Sequence, residues 1–149
     1  MRKVILMMIG FSMYANAGLN RVNGIVTDTV TKLQWQDDYT TKFGTFNKGS
    51  WSKALTYCHN LVLEGAGWRL PNKNELLSIV EYSKYSPSLS PAFKEISIAH
   101  YWTSTTANND TTLLGTGYAW YVEFYHGKRD TTHKNDFNFV RCVRAGLLK

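Results

Sequence analysis

Aromatic and cationic side chains are concentrated near the end of the sequence, in residues 121–139, where small polar residues separate them. Aromatic faces can stack on the apolar face of a sugar, and cationic groups can pair with sulfate or carboxylate. The pattern predicts a ligand-binding surface, and the alternative is that its tyrosines only cover a sheet. The candidate binding residues are Tyr121, Tyr125, His126, Lys128, Arg129, His133 and Lys134.

Two groups of residues have side chains that could bind a metal ion. Histidines and aspartates recur in the same polar segment and could converge on a divalent cation: His126, Asp130, His133 and Asp136. A second group offers oxygen ligands of the kind that calcium prefers: Asn108, Asn109 and Asp110. Loop residues of these types are more often simply solvated. We therefore predict no cofactor, with calcium as the alternative.

The sequence does not contain the common catalytic motifs. There is no Ser/His/Asp nucleophile elbow, phosphate-binding loop or His-Glu-x-x-His pattern. Glu75 and Glu81 are better explained by helix capping and a solvated helix face than as a pair of acid–base carboxylates. We therefore predict a binding protein rather than an enzyme.

The N-terminal residues are typical of a secretory signal. A basic pair at residues 2–3 precedes an apolar core at 4–11 and an Ala-Asn-Ala cleavage site at 15–17. The apolar run is shorter than the ~20 residues that a membrane-spanning helix needs. We predict a signal peptide over residues 1–17 and one domain over residues 18–149. The domain would be exported, periplasmic or extracellular, without stable membrane insertion.

Export changes the interpretation of the two cysteines. Cys58 lies on the apolar face of a predicted helix, and Cys142 lies in the apolar-rich end of the chain. In an oxidising compartment, two core-facing cysteines most simply form one disulfide, and a catalytic thiol is the weaker alternative. Closing so long a loop would stabilise the fold by roughly 4 kcal/mol on the chain-entropy model.

Two short amphipathic helices are predicted in the middle of the chain. Ser50 is the candidate N-cap of the first, because its hydroxyl can accept from amides of the first turn. Gly65 and Gly67 allow the chain to leave this helix through positive φ. The second helix begins at Asn72, and Glu75 completes a capping-box pattern. The apolar faces consist of Trp51, Ala54, Leu55, Cys58, Leu61 and Val62, then Leu76, Leu77 and Val80.

Strands are predicted on both sides of the helices. Residues 24–28 and 32–36 predict a hairpin, residues 101–106 and 118–125 two further strands, and residues 139–144 a closing strand. Each face of the closing strand carries two apolar residues and one arginine, which predicts burial on both sides, with the arginines either paired or extended so that their charged ends reach water. We assign no strand to the polar residues 128–138. Aromatic residues expected in the core include Phe43, Phe46, Trp35, Trp51, Trp68, Trp102 and Trp120.

Length and composition suit one exported domain with its own core. The chain has 149 residues, including 5 Trp, 9 Tyr and 7 Phe, and only 19% of its residues are charged. The formal charge is +6; without the two basic residues of the signal, 15 basic and 11 acidic residues give +4. No dense basic run with interleaved aromatics is present, so nucleic acid is not a predicted partner.

Five sequence blocks in fixed order resemble a known family. They are WSKALTYC (51–58), GWRLPNKNEL (67–76), YWTSTT (101–106), AWYVEF (119–124) and VRCVR (140–144). Over residues 24–144 this order resembles the bacterial secreted domain family named for the C-terminal domain of a collagen-like adhesin, the Lcl C-terminal domain. The resemblance implies an α+β, C-type-lectin-like fold. Two helices would pack on a small, twisted, mainly antiparallel sheet with long loops, and Cys58–Cys142 would link the first helix to the last strand.

The resemblance also bears on function. The formylglycine-generating relatives of this fold need a pair of reactive cysteines near the C-terminal end, where only Cys142 lies. The Glu-Pro-Asn and Trp-Asn-Asp signatures of calcium-dependent sugar-binding lectins are absent. The predicted partner is a glycan or another envelope or extracellular macromolecule in adhesion. The alternatives are an envelope protein–protein interaction or structural module and, third, an uncharacterised enzyme on the same fold.

Overall fold

A computed structural model describes residues 18–39, 48–107 and 117–146. The predictions for the signal peptide, for Phe43 and Phe46 and for the oxygen-ligand group at 108–110 lie outside these ranges. Among the described residues, no helix is long and apolar enough to span a bilayer. In chain order the elements are β1 (Leu19–Val22), β2 (Ile25–Asp28), β3 (Leu33–Gln36), β4 (Lys48–Gly49), α1 (Trp51–Asn60), α2 (Lys73–Ser78), β5 (His100–Ala107), β6 (Tyr118–Glu123), β7 (Arg129–His133), β8 (Asn138–Phe139) and β9 (Val143–Ala145).

The first sheet joins both ends of the domain, with four antiparallel strands in the order β1-β2-β3-β9. Strands β2 and β3 form the predicted hairpin. Its turn is held by Asp28, whose carboxylate accepts the amide hydrogens of Val30 at 2.8 Å and Thr31 at 3.2 Å. Short acidic side chains commonly stabilise turns in this way. Strand β1 was not predicted, because its sequence LNRV is largely exposed and shows no alternation of apolar and polar residues.

The second sheet has the order β4-β8-β5-β6-β7 and is antiparallel except between β5 and β8. A register shift between Trp102 and Thr106 marks a bulge in β5. The assignment of no strand to residues 128–138 was wrong, because Arg129–His133 pairs with β6. A strand at a sheet edge has one partner and need not bury an apolar face, so β7 lacks the usual pattern.

Both predicted helices are present, with differences at their ends. Ser50 is the N-cap of α1, but its side chain makes no capping hydrogen bond. The amide of Trp51 instead donates to the carbonyl of Lys134 at 3.0 Å, so the predicted capping mechanism was wrong. Val62 is exposed rather than buried, because α1 ends two residues before it. The capping box that begins at Asn72 is complete.

The apolar face of the second helix is shifted from the prediction. Leu76 is fully buried, and Ile79, the C-cap of α2, is also buried. Leu77 and Val80 are only partly buried. With six residues, α2 has fewer than two turns to pack against the core, so the chain just beyond it supplies the rest of the contact.

Two apolar clusters fill the domain, and residues 140–143 run between them. The first packs α1 and Trp102 around the Cys58–Cys142 disulfide, which confirms the expected pairing with a Cα–Cα distance of 5.4 Å. The second contains Trp35 and Phe124. The closing segment is buried on both sides, as predicted. It is not one strand, however, because β8 and β9 belong to different sheets.

The five tryptophans divide between the core and its margins. Trp35, Trp68 and Trp102 are buried as predicted. Trp51 is partly buried and packs against the first core cluster, in line with the prediction, whereas the partly buried Trp120 does not belong to either cluster and corrects it. The ammonium group of Lys134 lies over the Trp51 ring at 4.3 Å, and that of Lys73 lies over the Trp120 ring at 4.2 Å.

A buried arginine links three parts of the chain. Arg141 is fully buried and donates to the carbonyl of Gln36 at 2.6 Å, to Asp37 Oδ1 at 3.1 Å and to the carbonyl of Glu95 at 2.6 Å. Its guanidinium group lies over the ring of Phe93 at 4.5 Å. Of the two alternatives predicted for the closing arginines, pairing is the one found for Arg141, which forms a fully buried ion pair with Asp37.

Candidate functional site

The predicted binding segment forms the hairpin of β6 and β7. In register, Val122 lies opposite Arg129, Tyr121 opposite Asp130 and Tyr118 opposite His133. The turn between the strands has Gly127 at φ +74°, a conformation that suits glycine because it lacks a Cβ. Strand β6 ends at Glu123, two residues before the predicted end at residue 125, so Tyr125 and His126 lie in the turn at the end of the hairpin.

Glu123 fixes the shape of this turn. Its carboxylate accepts amide hydrogens from Tyr125 at 2.9 Å, His126 at 3.2 Å and Lys128 at 3.4 Å. The ring Nδ1 of His126 lies 3.3 Å from the same carboxylate. Burial acts to raise the pKa of Glu123, but the amide hydrogen bonds from His126, Tyr125 and Lys128 outweigh it and lower the pKa below its ordinary value. Glu123 is therefore the anionic anchor of the turn.

A second segment, residues 80–88, docks on the turn through its backbone. The Ser86 amide donates to the carbonyl of Tyr125 at 3.0 Å, and the Ser88 amide donates to the carbonyl of Phe124 at 2.8 Å. The contact is close, since a Cβ on Gly127 would lie 2.5 Å from Cγ1 of Val80. The two segments therefore form one continuous surface.

This surface carries a cluster of exposed aromatic rings, which we call the aromatic patch: Tyr82, Tyr85, Tyr125 and His126. The three tyrosines are 70%, 62% and 38% exposed in that order. The ring of Tyr85 lies 4.8 Å from that of Tyr125 and 5.3 Å from that of His126, and the last two are 4.3 Å apart. A hydrogen bond with the Tyr125 side chain raises the pKa of Tyr85. Contiguous exposed apolar patches often mark binding sites, so the patch is a candidate site.

Charged groups and a shallow groove border the patch. Lys128 and Arg129 follow the turn, are exposed, and form no ion pair within the described part of the chain. Lys84 is paired with Glu81 at 3.4 Å. A groove of about 350 Å³ beside Tyr85 is lined mainly by apolar residues of the 84–96 connection. Cationic and apolar contacts are thus available next to the rings.

The other predicted binding residues lie away from the patch. Tyr121 stacks on His100 at 4.1 Å and packs against the first core cluster, and burial is the main cause that raises its pKa. Lys134 covers Trp51 beside α1. His133 contacts the ring of Tyr118 at 5.4 Å on the hairpin strands. Of the seven residues, Tyr125 and His126 contact each other, and Lys128 and Arg129 follow them in the sequence. Tyr121, His133 and Lys134 make their contacts elsewhere.

The hypothesis of a metal site on the hairpin was wrong. In the ranges that the structure describes, no three His, Cys, Asp or Glu side chains are placed to hold a metal ion together. His126 interacts with Glu123, and Nδ1 of His133 accepts the amide hydrogen of Asn135 at 3.2 Å. Asp136 accepts the hydroxyl hydrogen of Thr132. His126, His133 and Asp136 thus interact with residues close to them in the sequence and not with one another.

A cleft of about 590 Å³ lies between α1 and the chain before α2, lined by Leu55, Thr56, His59, Arg69, Leu70, Asn72 and Ser104. None of the predicted binding residues lines it. Arg69 makes two hydrogen bonds to Glu75, at 2.7 and 2.6 Å, and these hydrogen bonds are the main cause that lowers the pKa of Glu75. Oδ1 of Asn72 accepts the amide hydrogen of Glu75 at 2.8 Å. Because these polar groups already form hydrogen bonds with one another, the cleft is a weaker candidate binding site than the patch.

Sequence reasoning missed two tyrosines of the patch. Tyr82 and Tyr85 lie in a Ser/Pro/Tyr-rich segment that predicts only a connection. The available signal was the composition itself, since tyrosines without apolar periodicity have no core face to join. Their segment contacts the hairpin turn through backbone hydrogen bonds, and such bonds leave no recognisable pattern of residue types in the sequence.

Comparison with known proteins identifies the family of the chain. No curated protein matches the sequence significantly. The sequence profile described as the Lcl C-terminal domain matches residues 24–144, which is most of the chain and includes the hairpin, the 80–88 segment and both cysteines. The chain therefore belongs to the Lcl C-terminal domain family of collagen-like adhesin proteins.

Proposed function

We propose that this chain is an exported, non-enzymatic adhesion domain that binds acidic or sulfated glycans through the aromatic patch. The observation that carries the proposal is the cluster of Tyr85, Tyr125 and His126, whose rings lie 4.3–5.3 Å apart on the surface. Family membership supports the adhesive role, since the family is that of collagen-like adhesin proteins and is not a known enzyme family.

The chemistry of the patch suits a glycan. Tyrosine rings present flat, rigid faces against which the C–H face of a pyranose can pack, and their hydroxyls can exchange hydrogen bonds with those of the sugar. Lys128 and Arg129 next to the turn supply charges for sulfate or carboxylate, and an arginine can bind such groups through two hydrogen bonds. The net charge of +4 without the signal favours approach to an anionic polymer.

Export and fold complete the proposal. The N-terminal residues carry the pattern of a cleavable signal, and the disulfide is consistent with an oxidising compartment, periplasmic or extracellular. We assign the domain to the C-type-lectin-like fold, supported by its two helices, its mostly antiparallel sheets and the bond from the first helix to the closing segment. Calcium is not required for the contacts proposed here.

A protein partner in the envelope is the second candidate. Tyrosine and arginine are the residues that most often anchor protein–protein interfaces, and the patch with Arg129 offers both. The two candidates differ in what they bind: a glycan ligand is retained after protease treatment of the target surface, whereas a protein ligand is lost.

The experiment is a glycan array that includes sulfated and uronic-acid glycans, probed with the exported protein with and without calcium. Binding should weaken at least tenfold in Tyr125→Ala/Arg129→Ala and in Tyr85→Ala. Tyr118→Ala is the matched control, because Tyr118 is 36% exposed on the same hairpin and lies outside the patch. If no glycan is bound in either condition, or if Tyr118→Ala weakens binding as much as the patch variants, the proposal fails.

A further inference from the structure

One residue of the aromatic patch has a side chain that can gain a positive charge close to neutral pH. Histidine is the residue type whose charge ordinarily changes between about pH 5 and 8, whereas tyrosine titrates only near pH 10. His126 is exposed, and its ring lies 4.3 Å from that of Tyr125 and 5.3 Å from that of Tyr85. A charge on this ring therefore lies next to any ligand that the patch holds.

The neighbour of Nδ1 determines which ring nitrogen carries the hydrogen in neutral His126. Nδ1 lies 3.3 Å from Oε1 of Glu123. A glutamate is ionised at neutral pH, and an ionised carboxylate can only accept hydrogen bonds. The single ring hydrogen of neutral His126 therefore lies on Nδ1, and Nε2 carries a lone pair. Within the described ranges, Nε2 has no hydrogen-bond partner.

Protonation changes what Nε2 presents to a ligand. In the neutral ring its lone pair repels the oxygen atoms of a sulfate or carboxylate group. In the imidazolium ring the same atom carries a hydrogen and part of a positive charge, and such donors form the stronger, charge-assisted hydrogen bonds. Nδ1 keeps its hydrogen and its contact with Glu123 in both states. Protonation therefore adds a donor at the patch without removing an interaction of the turn.

The groups around His126 do not change charge over the same range of pH. Two elements face the ring, its own turn and the 80–88 segment. Their titratable and charged residues are Glu123, Tyr125, Lys128, Arg129, Glu81, Tyr82, Lys84 and Tyr85. Residues of these types keep their charge state between about pH 5.5 and 7.5. His126 is therefore the residue of the patch through which pH can act on a ligand.

We propose that protonated His126 binds an anionic group of the ligand, so that the patch holds acidic and sulfated glycans more tightly at mildly acidic pH. The inference rests on the proposed function and names the residue that makes it depend on pH. The Nε2 hydrogen of the imidazolium ring is donated to a sulfate or carboxylate oxygen, beside the cationic side chains of Lys128 and Arg129. Because exposed charge pairs contribute modestly, the affinity should rise by about threefold to fivefold.

The test is isothermal titration of the exported protein with a heparin octasaccharide at about pH 5.5 and about pH 7.5, at one ionic strength. The wild type should bind about threefold to fivefold more tightly at the lower pH. His126→Gln should bind equally at both, because its side chain gains no charge. His133→Gln is the matched control and should keep the wild-type difference. His133 lies four residues beyond Arg129 on β7, or about 14 Å, which exceeds the ~8 Å screening length of physiological salt.

A second measurement examines the ring without any glycan. The nitrogen chemical shifts of neutral His126 in NMR should place its hydrogen on Nδ1. A hydrogen on Nε2 in the neutral ring, or a pH dependence of binding that survives in His126→Gln, would overturn the inference. If the wild type binds the octasaccharide equally at both pH values, this inference fails while the proposed function stands. The absence of binding at either pH would remove both.

Discussion

Removal of the buried Asp37 carboxylate should destabilise the domain more than any other single change at its polar groups. This carboxylate accepts hydrogens from Arg21 at 2.6 Å, from Arg141 at 3.1 Å, and from the amides of Lys94 at 2.8 Å and Glu95 at 3.1 Å. The side chains of Asp37 and Arg141 are both fully buried. In Asp37→Ala, the Arg141 guanidinium would stay buried without its counter-charge.

The expected magnitude follows from these contacts. Breaking a buried ion pair by removing one partner costs about 3–5 kcal/mol, and the two partly buried amides of Lys94 and Glu95 add at most about 1–3 kcal/mol each when they lose their acceptor. Since a domain of this kind has about 5–15 kcal/mol in total, Asp37→Ala should be largely unfolded or close to it. Asp37→Asn keeps the shape and one acceptor oxygen, and should cost about 2–3 kcal/mol.

Urea unfolding followed by tryptophan fluorescence measures this loss, because Trp35 and Trp102 are fully buried. With a urea dependence of about 1–3 kcal/mol per molar, the Asp37→Asn midpoint should fall by about 1–3 M. Arg21→Met is the control. Its side chain is 32% exposed, so the pair that it forms should contribute about 1 kcal/mol or less.

A double-mutant cycle decides whether the pair itself is responsible. Arg141→Met leaves Asp37 with Arg21 and two amide donors, so this single variant should cost less than Asp37→Ala. In the double variant Asp37→Asn/Arg141→Met, the two costs should be less than additive by about 1 kcal/mol or more, as for residues in contact. Strict additivity, or a cost for Asp37→Asn no larger than that for Arg21→Met, would refute the reasoning.

Three further predictions concern the disulfide and the turn. Replacing Cys58 and Cys142 by Ala removes a disulfide that spans 84 residues and should lower the free energy of unfolding in urea by about 4 kcal/mol. Identical urea midpoints of the wild-type protein with and without reductant would contradict this. Gly127→Ala meets Val80 at a positive φ and should lower both Tm and glycan binding, whereas Gly67→Ala, at φ +90° in open space, should cost only about 1 kcal/mol and spare binding. The pKa of Glu123 is lowered in the folded state, so its contribution to stability is present at neutral pH and is lost as the pH falls below its ordinary 4.5 through the folded-state pKa. In NMR, the amide signals of the turn should shift over the same pH range. Glu123→Gln should abolish that pH-dependent shift, and an unchanged shift would contradict the role given to Glu123.

The parts of the fold that the sequence predicts are the two helices, whose apolar residues recur at a regular period, and the strands that are rich in aromatic and β-branched residues. The hairpin of β2 and β3, both helices and β5 each lie within two residues of their expected position. The bounds of α1 moved at its end, where Val62 is apolar but follows the last helical turn. A hydrophobic pattern indicates which face is buried more reliably than where an element stops.

Strand β7 and the partners of the closing segment could not be predicted in this way. β7 is polar because it lies at a sheet edge, so nothing in RDTTH distinguishes it from a loop. Arg141 was expected to be paired, but its partner Asp37 lies more than a hundred residues earlier in the sequence, in a stretch that predicts a polar loop. Contacts of this length follow from the topology of the chain, which a single sequence does not display.

Of the candidate site, the residues on the hairpin could be predicted from the sequence, but the contact with Tyr85 could not. Tyr125, His126 and their cationic neighbours are contiguous in sequence, so composition alone indicates a binding segment. Tyr85 joins them through the backbone bonds of Ser86 and Ser88, and such bonds are available to any residue type except proline as donor. The sequence therefore contains the rings of the patch but not their proximity.

The polar groups that hold the fold and those proposed to bind ligands occupy different places. Asp37 and Arg141 are fully buried and pair with each other, whereas Tyr82 and Tyr85 are mostly exposed at the surface. Substitutions at exposed positions usually change stability by no more than about 0.5 kcal/mol. Tyr82→Ala and Tyr85→Ala should therefore alter binding at an unchanged urea midpoint. If they lowered the midpoint as Asp37→Asn does, the patch would be part of the structural core, and its exposure would need another explanation.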